Sequence, residues 1–403
     1  MNLLYLAHRI PFPPMKGEKI RSFNHIKHLS RSHTIHLACL MDRGSDWEHA
    51  RTLEKWCASV EGVYRSEMMQ KVRAVLGLFT SRPLTAHAQY STKLQNIIDK
   101  RLVSERIDRI LLSSSGMAEY VKGLSGIPRI MDFVDVDSEK WRSYVDHHGG
   151  LSKVVYQVEA TRLAHYEDAI ARSFDHCLVV SEEEARVLRN RVPACPVSVI
   201  PNGVDLEWFN PDQIPHARDA NPTVVFTGAM DYTPNVDAVC YFSESVMPIV
   251  SKAVPDVRFL IVGSNPVSPV RALGRAPGTT VTGTVSDVRP YLASAWLAVA
   301  PLRVARGLQN KVLEAMAMRL PVVGTSAAFR GTQATGDDGI CIADRPEEMA
   351  AAIVRLVGAP KHRQDAGMRA RQYVERAHRW EDHVGQLASI LELPSGQGRR
   401  ISR

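Results

Sequence analysis

The chain has 403 residues, of which 45% are hydrophobic and 23% charged, which is typical of a globular protein with a sizeable core and more than one domain. Its six cysteines show no CxxC or Cys/His grouping, which argues against a disulfide framework or a zinc site and favours a reducing compartment. No signal-peptide pattern opens the chain, and no apolar run reaches the roughly 20 residues that cross a bilayer. These features predict a cytoplasmic protein, soluble or peripheral on a membrane.

The net charge of +7 is concentrated in the first quarter of the chain, where 15 Lys and Arg face 8 Asp and Glu within residues 1–100. Within that quarter, the segment Met68–Leu84 mixes basic residues with Val, Leu and Phe. Such a pattern is typical of an amphipathic segment on an anionic inner-membrane surface, or of a core-packed helix with a basic solvent edge. No helix-turn-helix, zinc-finger or RNP-like pattern accompanies the charge, so nucleic acid is not an expected partner.

The first half of the chain alternates predicted strands and helices. A strand at 2–8, a helix at 17–32 and a strand at 33–40 form a βαβ unit, which requires parallel strands. Further strands are predicted at 107–113, 128–134 and 176–180, with a long helix at 151–174. This order predicts a doubly wound α/β domain.

The same alternation restarts after a polar, proline-containing connector, Leu206–Pro222. Five strands are predicted in this half, at 223–228, 257–263, 279–283, 296–302 and 320–325, and helices at 235–253, at 287–295 and around Glu314. Neither half contains the GxGxxG fingerprint after its first strand, and no GxxxxGK[ST] occurs, so a dehydrogenase or P-loop enzyme is not expected. Residues 379–394 predict an amphipathic helix, and 395–403 a disordered tail.

The stretch Ala305–Thr325 contains an almost wholly apolar helix with one carboxylate, Glu314. Burying a lone carboxylate is costly, so a ligand that repays the cost is expected. The helix follows a strand, which places its N-terminus at the carboxyl edge of a parallel sheet, where α/β proteins bind ligands. There the backbone amides of Gly307, Leu308 and Gln309 face a diphosphate, and Glu314 accepts hydrogen bonds from a ribose diol.

Five stretches together resemble family-four glycosyltransferases of the GT-B fold, and more closely the sugar transferases associated with exosortase and exopolysaccharide gene clusters. The stretches are PFPPMKGEKIRSF, IPNGVD, VVFTG, VTGTVSD and NKVLEAMAMRLPVVGT. The resemblance implies two Rossmann-like domains facing across a cleft, and retaining, metal-independent transfer with a nucleoside-diphosphate sugar as co-substrate and no cofactor. It implies an acceptor-binding domain at 1–198, a nucleotide-sugar domain at 199–378, and a final helix at 379–394 that packs back on the first domain.

The resemblance assigns roles to particular residues. Glu314 corresponds to the family glutamate that holds the ribose hydroxyls, and Gly228 to the glycine that lets backbone approach the diphosphate. Thr284 and Val285 correspond to the loop whose backbone contacts the nucleobase. Gly17 corresponds to the glycine of the N-terminal loop that closes over the donor phosphates.

The sequence departs from the family pattern at two places. The family usually has a second glutamate eight positions before Glu314, where this chain has Arg306. The family also has an arginine and a lysine soon after the Gly228 position, and this chain has neither there. Because a leaving diphosphate needs positive charge as the glycosidic bond breaks, Lys311 is the first expected replacement, followed by Arg303 and Arg306.

The first domain supplies the remaining predicted site residues. Asp132, Asp135 and Asp137 follow an apolar strand and are expected at the sheet edge, where Asp135 or Asp137 orients or deprotonates an acceptor hydroxyl. Lys16 and Arg21, beside Gly17, are expected to bind the acceptor, as is Asp132. Asp135 and Asp137 also imitate a metal-binding DxD, but that motif belongs to another glycosyltransferase fold, so no metal is expected.

Three functions are compatible with this sequence. The favoured one is a retaining transferase that moves a sugar to a lipid-linked or polysaccharide acceptor in bacterial cell-surface glycan synthesis. The second is a non-catalytic GT-B module that binds nucleotide or glycan in an assembly complex, motivated by Arg306 and the missing phosphate bases. The third is a nucleotide-sugar epimerase, which would convert its donor with no acceptor present.

Overall fold

We describe a computed structural model of the chain, covering residues 1–15, 17–66, 80, 82–145, 150–214 and 218–394. The chain forms two compact units. Unit 1 contains Met1–Pro201 and the chain from Glu381 onward, and unit 2 contains Asn202–Trp380. Each unit is built on one sheet in which all described strand pairs are parallel.

Unit 1 has a seven-stranded sheet in the order β3-β2-β1-β4-β5-β6-β7. The strands are β1 Asn2–Ala7, β2 Thr34–Met41, β3 Ser59–Tyr64, β4 Arg109–Ser113, β5 Arg129–Val134, β6 His176–Val179 and β7 Val197–Val199. The helices are α1 Gly17–Leu29, α2 Asp46–Leu53, α3 Leu84–Gln89, α4 Thr92–Ser104, α5 Asp137–Val145, α6 Gly150–Ser173 and α7 Glu182–Arg191, with a 3-10 helix at Ser115–Val121. The central strands are almost wholly buried, as expected where helices cover both faces of a parallel sheet.

Unit 2 has a six-stranded sheet in the order β10-β9-β8-β11-β12-β13. The strands are β8 Thr223–Thr227, β9 Arg258–Val262, β10 Thr279–Val281, β11 Leu297–Ala300, β12 Val322–Gly324 and β13 Ile340–Ile342. The helices are α8 Thr233–Tyr241, α9 Met247–Ala253, α10 Ser268–Leu273, α11 Arg289–Ser294, α12 Asn310–Ala317, α13 Ser326–Phe329, α14 Pro346–Gly358 and α15 Pro360–Ala377, and α16 Trp380–Glu392 follows. This strand order is that of the Rossmann fold.

The predicted α/β class with two Rossmann-like domains is confirmed. The predicted strands are found with ends shifted by a few residues, and the predicted helix at 235–253 is divided by a π-helical turn, Phe242–Val246. Strands β3, β7 and β13 were not predicted, because each is short or only partly buried and lacks a long apolar run.

The chain enters unit 2 a few residues before the predicted connector begins. Val204 pairs with Arg379 in an isolated parallel bridge. Arg371 donates hydrogen bonds to the carbonyls of Leu206 and Phe209. The first part of the predicted linker is therefore bound to unit 2.

Helix α16 packs within unit 1 from Glu381 onward. Its residues Val384, Leu387 and Leu391 are buried. The guanidinium of Arg109, on β4, donates to the carbonyl of Leu391 at 3.0 Å. Among the helices that the structure describes, we find none long and apolar enough to cross a membrane.

Candidate active site

The strand order in the sheet of unit 2 reverses between β8 and β11, which makes this position the topological switch point. Ligands of such folds bind outside the carboxyl ends of the strands at the switch point. Strand β8 is followed by Gly228, and β11 leads through a loop into α12. The predicted donor residues of unit 2 therefore follow the two strands at the switch point, apart from those in the loop after β10.

Gly228 and Gly263 end neighbouring strands, and neither position has room for a side chain. A Cβ atom on Gly263 would lie 1.6 Å from the Gly228 carbonyl oxygen. A Cβ atom on Gly228 would lie 2.7 Å from Asn235 Nδ2 and 3.3 Å from Lys311 Nζ. The two glycines thus allow two backbone segments, an amide and an ammonium group to approach one another closely at the sheet edge.

Lys311 is brought beside Gly228 although the two are far apart in sequence. Its ammonium donates to Asn235 Oδ1 and lies 4.4 Å from the centroid of the Phe226 ring. Asn235 is itself oriented by a hydrogen bond from its Nδ2 to the Ala229 carbonyl at 2.9 Å. The cation that the sequence lacks directly after Gly228 is therefore supplied in space from α12.

Glu314 lies three residues after Lys311 on α12, so the two side chains share a helix face. The residues Val312, Leu313, Ala315, Met316 and Ala317 of the same helix are buried in the core. Burial raises the pKa of Glu314 to about 7, which the positive charge of Lys311 opposes. Burial also lowers the pKa of Lys311 to about 7, which the charge of Glu314 opposes.

This pair of shifted pKa values has one cause. Both side chains are half-buried and have lost part of their water, and without a ligand each charge is only partly stabilised by the other. A ligand with hydroxyl donors for the carboxylate and anionic oxygens for the ammonium would supply the missing interactions. Shifted pKa values at a ligand-binding edge are a recognised sign of a functional site.

The loop before α12 has the backbone shape expected for close packing. Gly307 has a φ of 61°, in the left-handed region that favours glycine, and is buried with Leu308. Gln309 is the N-cap residue, but its side chain bonds to the Arg306 carbonyl and not to the helix amides. Asn310, the first helical residue, accepts a hydrogen bond from Asn202 at 3.1 Å.

The other predicted cations of unit 2 are placed differently from Lys311. Arg303 is 55% exposed and binds the carboxylate of Asp237, which neutralises its charge. Arg306 is half-buried, and its carbonyl accepts a hydrogen bond from the side-chain amide of Gln309. Of the three candidates, Lys311 is the one that the structure places against the glycine edge, the edge of the sheet at Gly228 and Gly263.

The predicted nucleobase loop follows β10 at the same edge of the sheet. Gly283 turns the chain with a φ of 71°, Thr284 is exposed, and Val285 packs against the core. The loop ends at Asp287, which receives hydrogen bonds from the Arg289 guanidinium. This arrangement leaves Thr284 accessible at the edge.

In unit 1, Arg21 and Asp132 have a role that the sequence did not predict. Both are fully buried, and Arg21 donates to the two Asp132 carboxylate oxygens at 2.7 and 3.0 Å. Its third donor reaches the Ile200 carbonyl at 2.7 Å. The prediction that these two side chains bind the acceptor directly needs correction, because neither has surface to offer and both are committed to one buried ion pair.

The turn after β5, which carries Asp135 and Asp137, is held in an uncommon conformation. Val134 has a φ of 66°. This region is unfavourable for a β-branched residue, and such residues cluster at functional sites. The Val134 amide donates to the Asp132 carboxylate at 3.2 Å, so the buried ion pair also fixes the start of the turn.

Two more buried carboxylates hold the rest of this turn. The amide of Val136 donates to Glu184 at 2.8 Å, and the amide of Ser138 donates to Glu167 at 3.0 Å. Alternate backbone amides are thus bound by carboxylates from three parts of unit 1. Asp137, which lies between two of them, has a pKa raised to about 6, first by burial and then by the charges of nearby carboxylates such as Asp135.

Three further predictions concern unit 1, namely those for Gly17, for Lys16 and for the segment Met68–Leu84. Gly17 is the first residue of α1, whereas Lys16 lies outside the described residues. Glu18 binds Arg9 at 2.8 Å, near the end of β1. Most of the predicted amphipathic segment Met68–Leu84 also lies outside the described residues.

Parts of the chain match two models of glycosyltransferase families. Residues 221–359 match the family described as "Glycosyl transferases group 1", and residues 145–208 match "Glycosyltransferase Family 4". A mannosyltransferase of Mycobacterium tuberculosis, described as a GDP-mannose-dependent alpha-(1-6)-phosphatidylinositol dimannoside mannosyltransferase, is 29% identical over 223 residues. That match covers 52% of this chain and 57% of the relative.

Solved structures resemble the whole chain at low sequence identity. Sucrose-phosphate synthase from Thermosynechococcus elongatus aligns with a TM-score of 0.70 and 16% identity over 97% of this chain and 98% of the other. WaaG, a glycosyltransferase involved in lipopolysaccharide biosynthesis, aligns with a TM-score of 0.68 and 13% identity over 97% and 100%. HepE from Anabaena, in complex with UDP-glucose, gives 0.67 and 14% over 97% and 99%. The fold is therefore GT-B, and the family matches support a glycosyltransferase.

Two residues of this edge were missed by sequence reasoning. Gly263 has the same position after its strand as Gly228, so the repeated strand-glycine pattern could have revealed it. Asn235 gave no signal, because its function depends on the approach of Lys311, which is 76 positions away.

Proposed function

We propose that this protein is a retaining, metal-independent glycosyltransferase that moves a sugar from a nucleoside-diphosphate donor to a lipid-linked or polysaccharide acceptor. The observation that carries the proposal is the placement of Lys311 beside the Gly228 backbone at the switch point of unit 2, with Glu314 three residues further along the same helix. We further propose that it acts in exopolysaccharide or cell-surface glycan synthesis, in the cytoplasm or on the inner membrane face, and needs no cofactor.

In this proposal each described group has one role. The half-buried Gly228 backbone contacts the diphosphate, with Gly263 packed behind it, and Lys311 neutralises the diphosphate. Glu314 accepts hydrogen bonds from the ribose hydroxyls, and the loop at Thr284 and Val285 contacts the base. If the hydrogen-bonding groups of the protein already face these positions before the nucleotide sugar binds, the entropic cost of ordering the nucleotide sugar is lower.

The chemistry proceeds by exchange of one bond at the anomeric carbon. The bond from that carbon to the diphosphate oxygen breaks, and both electrons leave with the diphosphate, where the Lys311 ammonium stabilises the new charge. The acceptor oxygen bonds to the carbon on the same face. Its proton passes to the departing diphosphate or to a carboxylate, for which Asp137, with Asp135 beside it, is the candidate in unit 1.

The experiment that tests the proposal is a thermal-shift panel, followed by transfer assays. GDP-mannose and UDP-glucose come first, because a relative uses the former and a structural neighbour holds the latter. We expect one nucleotide to raise the melting temperature of the wild type. The shift should be lost in Glu314→Ala and kept in Glu347→Ala, which changes an exposed glutamate of the same unit.

A second function is favoured by Arg306, which stands where the family has a sugar-binding glutamate. In that case the chain is a module that binds nucleotide or glycan without turning it over. A Glu314-dependent thermal shift with no sugar transfer to membrane-lipid extracts and no donor hydrolysis would favour the module. Absence of any shift across the panel would refute the donor site itself.

Donor binding is also expected to change the protonation of Lys311. At pH 8 an amine with a pKa of about 7 is mostly neutral, while a carboxyl with a pKa of about 7 is mostly ionised. A bound diphosphate favours the charged amine and raises its pKa, so binding at pH 8 should take up roughly one proton. Isothermal calorimetry in two buffers of different ionisation enthalpy measures this number. Net proton release, or equal uptake by Lys311→Met, would contradict the assignment.

A further inference from the structure

Unit 2 contains a second concave region that is separate from the glycine edge. A cleft of about 650 Å³ runs along the edge strand β13 and is closed by α14 and α15. Its lining includes Pro321 and Gly339, which come just before β12 and β13. It thus reaches the amino ends of the strands, whereas Gly228 and Gly263 lie at the carboxyl ends. Cavities of this size are typical of small-molecule sites.

The charged side chains of this edge-strand cleft have one sign. Arg355 and Arg369 line it together with the imidazole ring of His362, and no Asp or Glu is among its described lining residues. Asp338 is close in sequence but receives hydrogen bonds from Arg376 and from the Thr335 amide. A carboxylate that could neutralise the cleft is therefore already bound elsewhere.

The two arginines of the cleft differ from six other arginines of unit 2. Six arginines of this unit each bind a carboxylate, namely Arg289, Arg303, Arg319, Arg345, Arg371 and Arg376. Among the described residues, Arg355 and Arg369 have no ion-pair partner within 4.0 Å. Arg355 donates instead to the Sγ of Cys341 at 3.7 Å, a weak acceptor. Two like charges without an anion repel each other, and a bound anion would remove that cost.

The floor of the cleft is apolar. Ile340, Leu356 and Ala366 are almost fully buried beneath it. Ile342, at the end of β13, is 53% exposed. A ligand with one anionic end and one apolar part would match both surfaces.

We propose that the edge-strand cleft is a second ligand site, which binds a phosphate or diphosphate ester. The guanidinium groups of Arg355 and Arg369 hold the anionic group, since their planar donors match phosphate oxygens. The apolar part of the ester lies on Ile342, the exposed apolar residue at the end of β13. The ester is either a soluble metabolite or a lipid headgroup, and the two sources are distinguished below.

Isothermal titration with inorganic pyrophosphate tests the site in the Lys311→Met background, which removes the cation of the glycine edge. We expect one bound pyrophosphate, and a 10- to 100-fold higher Kd when Arg355→Gln and Arg369→Gln are added, because each of these solvent-accessible guanidinium groups is expected to contribute roughly a three- to tenfold factor. Lys361→Gln, which removes an exposed charge next to the cleft, is the matched control and should leave the Kd within about twofold. Unchanged binding in the double arginine variant would overturn the proposal.

A second arm identifies the source of the ester. Flotation with phosphatidylcholine vesicles containing phosphatidic acid should show binding that depends on Arg355 and Arg369 if the ligand is a lipid headgroup. Pyrophosphate binding without vesicle binding supports a soluble ester. Both binding measurements use the Lys311→Met protein, in which the donor site has lost its cation, so they test the cleft alone. The donor site is tested separately by the nucleotide thermal shift of the wild type. Absence of pyrophosphate and vesicle binding alike in the Lys311→Met protein would refute the cleft.

Discussion

Replacing Lys311 with methionine is expected to lower the rate of sugar transfer about 100- to 1000-fold, the usual cost of removing one preorganised group that stabilises developing charge. Methionine keeps the length and most of the volume of the side chain, so packing over the Phe226 ring should be preserved. The ammonium is the part that is lost. The effect should fall mainly on kcat, because negative charge on the diphosphate increases as the bond breaks.

The matched control is Arg303→Met, which removes another cation of unit 2. Because the Arg303 guanidinium is exposed and already bound to Asp237, we expect a change of less than about threefold. Initial rates at saturating donor measure both variants. A Lys311→Met enzyme with wild-type kcat, or a larger loss in Arg303→Met, would show that the diphosphate is neutralised by another group.

The sequence predicted the fold well because each half repeats one strong pattern. Apolar strands followed by amphipathic helices leave little choice except a parallel doubly wound sheet. The position of Glu314 was also readable, since a carboxylate in an apolar helix at a ligand-binding edge is costly without a partner. In the strand-helix repeats and at Glu314, the local sequence pattern alone was enough to indicate the position in the fold.

The partners of buried charges could not be read in the same way. Asp132 and Arg21 are 111 positions apart, and an arginine in the first turns of a helix looks solvent-exposed from sequence alone. The carboxylates of Glu167 and Glu184, which bind the turn around Asp137, likewise reach it from separate helices. Such contacts depend on how elements pack, which periodicity does not specify.

The consequence of the buried pair is a large expected loss of stability in Arg21→Ala. Asp132 would be left buried without the guanidinium that binds it, and the Ile200 carbonyl would lose its donor. Breaking a buried ion pair in this way costs about 3–5 kcal/mol in the free energy of unfolding. Hydrogen–deuterium exchange of β1 and β5 peptides at increasing urea concentration reads this loss in unit 1 specifically.

The control for this substitution is Arg142→Ala, which removes an exposed arginine paired with Glu139 three residues away. That change should cost less than about 0.5 kcal/mol, because water replaces the lost partner. If Arg21→Ala were equally mild, the buried Asp132 would not depend on Arg21, and the pair would not be what fixes the turn at Val134. A loss of several kcal/mol would instead support Arg21 as the residue that holds Asp132, and through it the start of the turn that carries Asp135 and Asp137.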